Sequence, residues 1–159
     1  MKRFLPTVAV MVGMMTMMGV AEEAHAAPAR QTPYWASISE GEARMRVGPS
    51  LDFPSSWLYR RRDLPVKVVK VLGLWRQIED WEGTQGWMHV RLLSDTRTAI
   101  VTAPEARMRQ AANDGARVAF RAQKGVVGRL TGCSAGWCGF DVQGQRGYVR
   151  VNEIWGGIN

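Results

Sequence analysis

The sequence predicts an all-β protein built as two small antiparallel barrels in tandem. Three observations lead there. Residues 42–46 read EARMR, and residues 105–109, 63 positions on, read EARMR again. The chain has seven Trp and 17 Gly and no long Ala/Leu/Glu/Lys stretch, which suits short strands and tight turns better than helices. Downstream of each EARMR, short runs of extended-type residues recur in the same order, separated by glycines.

The N-terminus stands apart from the fold. Lys2 and Arg3 form a basic head, residues 4–21 are apolar and almost uncharged, and Ala24-His25-Ala26 supplies a small-x-small cleavage pattern. Residues 1–26 are therefore expected to be a cleaved signal peptide, with an uncleaved anchor as the alternative. Pro6, Gly13 and Gly19 favour cleavage, and no cysteine follows the run to carry a lipid. No second long apolar run follows, so the mature chain is not expected to be integral to a membrane. Cleavage removes two basic and two acidic residues, which leaves the formal net charge at +7. A basic exported protein, periplasmic or extracellular, meets anionic wall polymers and acidic proteins rather than nucleic acid.

Residues 27–41 read as a linker, because prolines and small polar residues suit no core. Tyr34 and Trp35 are exceptions, candidates to dock on the first domain. The first domain is expected over residues 42–101. Its pieces are RMRV, SSWLYRRR, VKVVKVLG, LWRQIED, WEGTQGWMHV and RLLSD, with a loop at Gly48-Pro49 and Pro54. Five or so short strands with tight turns make a small barrel.

The second domain, residues 102–159, repeats the order with ARMRQ, RVAFRA, VVGRLTGC, GWCGFDV and QRGYVRV. Trp75 aligns with Trp137, Ile78 with Phe140, Gly83 with Gly144, Gly86 with Gly147, Trp87 with Tyr148 and Leu93 with Ile154. The offset drifts by two single-residue deletions in loops. EARMR is then the edge strand that opens each copy. In each G-x-x-G-W/Y step the first glycine makes a turn and the second marks a close backbone approach.

Cys133 and Cys138, in GCSAGWCGF, are the only cysteines. If Ala135-Gly136 is a two-residue hairpin loop, they form the second cross-strand pair from the turn. Their Cα atoms then lie about 4.5–5.5 Å apart, within disulfide range. Outside the cytoplasm the bond should form, contributing on the order of 2 kcal/mol. Ala disfavours positive φ, so a bulged turn is the alternative. The first copy places Val71 and Arg76 at these positions around Gly73-Leu74, a Gly-X pair suited to a type II′ turn. Two thiols without a neighbouring histidine are too few for zinc, and no phosphate-cradling glycine motif is present. Neither metal nor cofactor is expected.

RMRVGPSLDFP, followed by WLYRRRDLPVKVV, LWRQIEDWEGTQGWMH and RLLS, resembles the bacterial SH3-like (SH3b) domain family. The resemblance is strong over residues 43–101. It is weaker over 105–157, which lacks the Gly-Pro and the following proline but keeps the WC and GY steps. It implies two tandem SH3-like barrels of five or six strands, each with a short 3₁₀ turn near residues 91–93 or 152–154. It also implies exported accessory modules that bind peptidoglycan or other partners. The ALYDY-like segment of polyproline-binding SH3 domains is absent, so no such ligand is implied.

Chemistry is sparse. His89 is the only histidine after residue 26 and reads as an outward-facing strand residue without partners. Glu79 and Asp80, with Glu82 close by, are the only acidic group of interest; paired carboxylates hydrolyse glycosides when set across a cleft, whereas these lie at a hairpin end. Ile78 reads as core, and Trp87 and Tyr148 also read as core. Trp75 falls on the opposite face from Ile78, Trp57 and Tyr59 share a face, and Trp81 has no clear place. The expected contact surface combines Trp57, Tyr59 and Trp75 with Arg60, Arg61 and Arg62: rings to stack on sugars or peptides, guanidiniums to pair with carboxylates; the alternative is that these rings complete two small cores and the arginines keep the surface charged. The expected function is non-catalytic binding of peptidoglycan or an envelope protein, with the first copy binding and the second supporting it. The alternatives are a peptidoglycan-hydrolase-like accessory acting through Glu79 and Asp80, and a purely structural module of an envelope complex.

Overall fold

The computed structural model describes residues 30–158. Residues 1–26, expected to be a signal peptide, lie outside the described residues. Among those described, the chain forms fourteen strands and two 3₁₀ turns. No helix there is long and apolar enough to cross a membrane.

Two seven-stranded antiparallel sheets share one plan. The first comprises β1 (Tyr34–Ile38), β2 (Ala43–Arg46), β3 (Ser55–Tyr59), β4 (Pro65–Leu72), β5 (Trp75–Glu79), β6 (Gln85–His89) and β7 (Leu93–Ser94), in the order β3-β2-β6-β5-β4-β1-β7. The second comprises β8 (Thr98–Val101), β9 (Glu105–Arg109), β10 (Val118–Gln123), β11 (Val127–Ser134), β12 (Trp137–Val142), β13 (Gln145–Arg150) and β14 (Ile154–Gly156), in the order β10-β9-β13-β12-β11-β8-β14. Position for position the two orders are the same. The 3₁₀ turns at Val90–Leu92 and Val151–Glu153 precede the last strand of each copy, close to where the resemblance puts them.

Three expectations change. The residues read as a linker include β1, which lies between β4 and β7 and pairs with both. Ala36, Ser37 and Ile38 are all buried. A strand covered on both faces shows no alternation, and that hides it in the sequence. For the same reason Thr98–Val101, read as the end of the first domain, is the first strand of the second: it pairs with β11 and β14, and all four residues are buried. Finally, EARMR is not an edge. β2 lies between β3 and β6, and β9 between β10 and β13.

The cores follow strand alternation. Ala43 and Met45 are inside while Arg44 is outside, and Ala106 and Met108 are inside while Arg107 is outside. Ile78 and Phe140 are almost fully buried. The second glycine of each G-x-x-G step is required by close approach. A Cβ on Gly86 would lie 2.5 Å from Met45 Cγ, and one on Gly147 would lie 2.8 Å from Met108 Cβ. That approach inverts the neighbouring expectation. With Gly86, Met88, Gly147 and Val149 facing in, Trp87 and Tyr148 face out; Trp87 is half-buried and Tyr148 is 41% exposed.

The hairpin pairs Ser134 with Trp137 and Cys133 with Cys138, and the cysteines are bonded with their Cα atoms 4.0 Å apart. Ala135 (φ 49°) and Gly136 (φ 80°) both take the left-handed region, so the loop is the two-residue form, not a bulged one. In the first copy Gly73 (φ 52°) opens the matching turn between Leu72 and Trp75.

The copies pack against each other. Ile100 belongs to the first core, and Val127 and Trp155 pack on it. Trp35 meets Trp155 edge-on at 4.7 Å, Arg61 donates to Gly125 O at 2.8 Å, and Arg129 pairs with Asp63 at 3.4 Å.

Candidate functional site

A cleft of about 210 Å³ lies on the outer face of the first sheet, crossing β3, β2, β6 and β5. Strand alternation builds it. Arg44 and Arg46 point out, alternating with buried Ala43 and Met45, and Leu58 stands opposite Arg44 in the register. On the next strand pair Trp75 stands opposite His89. Their rings meet edge-on at 5.4 Å and form an aromatic floor, both half-buried. Leu51, from the loop between β2 and β3, and Arg91 and Leu92, from the 3₁₀ turn, close the ends, with Glu42 at the rim.

The charges of this cleft are partly committed. Arg46 donates to Phe53 O at 2.6 Å and holds the loop that carries Leu51. Glu42 lies 3.8 Å from Arg60. Among the described residues, Arg44 and Arg91 make no ion pair. His89 Nδ1 accepts from the Arg91 backbone N–H at 3.2 Å, which fixes both the ring and the start of the turn. The cleft can therefore offer an indole face, apolar walls and two uncommitted guanidiniums.

The expected contact surface does not come together as one patch. Trp75 lies in the cleft. Trp57 and Tyr59 have the opposite parity on β3 from Leu58, so they point away from the cleft. Trp57 is 54% exposed, whereas Tyr59 is 3% exposed and belongs to the core. The arginine run is exposed but spreads out: Arg60 faces Glu42, Arg61 reaches the second copy, and Arg62 donates to Ser39 O at 2.6 Å. Sequence reasoning missed Arg44, Arg91, Leu58 and the cleft role of His89. The alternation of EARMR between buried and exposed positions carried the signal for Arg44.

The acidic group is structural in its geometry. Asp80 is 4% exposed; it accepts from Tyr59 Oη at 2.9 Å and from the backbone N–H of Glu82 and Thr84 at 3.0 and 2.9 Å. Burial, and then the hydrogen bond to Asp80, raise the Tyr59 phenol pKa far above its usual value, so it stays a donor. Glu79 accepts from Gln85 Nε2 at 2.6 Å. Trp81 packs half-buried against the first core.

The second copy has a matching depression of about 280 Å³. Glu105, Arg107, Arg109 and Trp137 stand where Glu42, Arg44, Arg46 and Trp75 stand in the first. Five other positions differ. Leu51, Leu58, His89, Arg91 and Leu92 become Asp114, Arg121, Arg150, Asn152 and Glu153. The larger depressions at the junction are lined by groups that join the copies, such as Arg61 and Arg129 with Asp63.

A model of the bacterial SH3 domain matches residues 39–95 and again 102–156. No curated protein matches the chain. Among solved structures it is similar to NlpC2 from Trichomonas vaginalis, with 10% identity over 80% of this chain and 49% of that one, and a TM-score of 0.37. It is likewise similar to NlpC1 from Trichomonas vaginalis, with 11% identity over 81% of this chain and 48% of that one, also at 0.37. The chain thus spans about half the length of these structures, and the likeness is too distant to carry a functional argument. The two family matches fall on the two sheets already described, and the chain belongs to the bacterial SH3 domain family.

Proposed function

We propose that this is an exported, non-catalytic binding module that recognises peptidoglycan through the cleft of its first copy. The observation that carries the reading is the half-buried indole of Trp75 set between apolar walls and the guanidiniums of Arg44 and Arg91. Indole faces stack on sugar rings and apolar side chains, and guanidiniums pair with carboxylates; peptidoglycan presents all of these together. A cleft of about 210 Å³ suits a few units of a repeating polymer better than the broad face of a folded protein. The net charge of +7 favours an anionic wall. Catalysis through Glu79 and Asp80 draws no support from their geometry, since Asp80 is occupied by Tyr59 and by its own turn.

Co-sedimentation with purified peptidoglycan tests the reading. The wild-type chain is expected in the pellet, and the Arg44→Glu/Arg91→Glu variant, still folded, in the supernatant. Equal pelleting of both removes the cleft from the account. Capture of an envelope protein by crosslinking, with no binding to purified wall, replaces the ligand class. Release of soluble wall fragments that Glu79→Gln abolishes restores the catalytic alternative.

A further inference from the structure

The differences between the two clefts define what the open one takes. The second depression balances its own charge, with Arg107, Arg109 and Arg150 facing Glu105, Asp114 and Glu153. Two of these acids are also tied down: Asp114 pairs with Arg150, and Glu105 with Arg121 at 2.5 Å. The Arg150 guanidinium lies over the Trp137 ring, 4.3 Å from its centroid, and Trp137 is only 6% exposed. Arg150 is the cross-strand partner of Trp137, as His89 is of Trp75. The indole of the second copy is thus already stacked, by a side chain that an aspartate holds in place. The first cleft has three arginines against one glutamate, and leucines or histidine where the second copy carries its compensating charges.

Resting on the function proposed above, we infer that the first cleft takes a carboxylate carried beside an apolar side chain, as in a wall stem peptide, and that Arg150 closes the corresponding site of the second copy. The uncompensated cations sit against Leu58 and Leu92, so a bare anion leaves the apolar wall unused and a neutral apolar group leaves Arg44 and Arg91 unused. One chain then carries one working site.

The indole N–H signals of Trp75 and Trp137 in a 15N NMR titration report the two clefts separately, each identified from its Trp→Phe variant. The probes are the peptide acetyl-Leu-Glu-Ala and its neutral counterpart acetyl-Leu-Gln-Ala-amide. The acidic peptide is expected to shift the Trp75 signal and leave Trp137 in place, and the neutral peptide to bind at least about tenfold more weakly. In the Asp114→Leu/Arg150→His/Asn152→Arg/Glu153→Leu chain, which also restores the arginine of the Arg91 position, the Trp137 signal is expected to respond as well. If that chain fails to fold, Asp114→Asn/Arg150→Gln/Asn152→Arg, which removes the cap and the charge that holds it and keeps the site cationic, is read instead. Equal response of both indoles in the wild type, equal binding of both peptides, or a silent Trp137 in the folded opened variant overturns the inference. Wall binding through the first cleft with a silent peptide titration overturns the inference alone. Peptide binding at Trp75 without wall sedimentation overturns only the peptidoglycan reading.

Discussion

The two copies solve the same folding problem with different parts. Each must anchor the hairpins around its fifth strand, β5 or β12. The first copy does so from inside, with buried Tyr59 donating to buried Asp80, whose carboxylate also organises the next turn. The second has Ala122 and Val142 nearby in place of that pair, and fastens the hairpin covalently with Cys133–Cys138, whose Cys138 lies fully buried in the second core. The surfaces diverge in the same way. Among the described residues, six of the eight exposed large hydrophobics, Val47, Leu51, Phe53, Trp57, Leu72 and Leu74, belong to the first copy. The second spends its cleft positions on ion pairs. Duplication has left one barrel with a sticky outer face and one with a sealed face, on an unchanged strand order.

The largest expected effect separates the two glycine approaches. Gly147→Ala should destabilise by about 3 kcal/mol and Gly86→Ala by about 1–2 kcal/mol in urea unfolding. The added methyl on Gly147 meets the Cβ of Met108 and nearby backbone, whereas on Gly86 it meets the flexible end of Met45 first. Equal costs would mean that Met45 cannot move aside. Next, the Cys133→Ala/Cys138→Ala chain should lose about 2 kcal/mol, and reductant should do the same to the wild type and nothing to the variant. Tyr59→Phe should cost about 1–2 kcal/mol, because Asp80 keeps its burial and loses a donor. A loss confined to the first copy, read by hydrogen exchange of β5, sharpens the contrast between a hydrogen-bonded and a covalent anchor.

The smallest effect concerns Asp141. A hydrogen bond from Arg146 Nε, and then one from the Gly144 N–H, holds its pKa below the usual aspartate value. A carboxyl whose pKa is lower folded than unfolded stabilises above the unfolded pKa and loses that contribution as pH falls through the folded one. Its NMR titration should therefore have a low midpoint, and Arg146→Ala should raise it. The stability change on acidification should be slight and weaker still in salt, because its partner Arg146 is exposed to solvent.

The fold was legible because it is written twice. Matching letters exposed the repeat, and β-branched runs between glycines marked most strands. β1 and β8 escaped because central strands buried on both faces do not alternate. Trp87 and Tyr148 were misplaced because large aromatic side chains were read as interior, when the glycines beside them already occupy the inward positions. Of the residues expected at the contact surface, only Trp75 lies in the proposed cleft. Neighbours along β3 point to opposite sides, so grouping Trp57, Tyr59 and the arginines by proximity in sequence joined residues that the sheet separates. The five differences that set the clefts apart lie in the same repeat alignment, at positions that a search for shared letters passes over.

The claim that binding resides in the first copy alone meets its most direct test in one paired measurement. Trp75→Ala and Trp137→Ala chains, each confirmed folded by circular dichroism, are sedimented with purified peptidoglycan beside the wild type. Pelleting is expected to fall at least about tenfold for Trp75→Ala, as truncating a central aromatic anchor does, and to stay at the wild-type level for Trp137→Ala. Equal losses in both, or a loss only in Trp137→Ala, would contradict it.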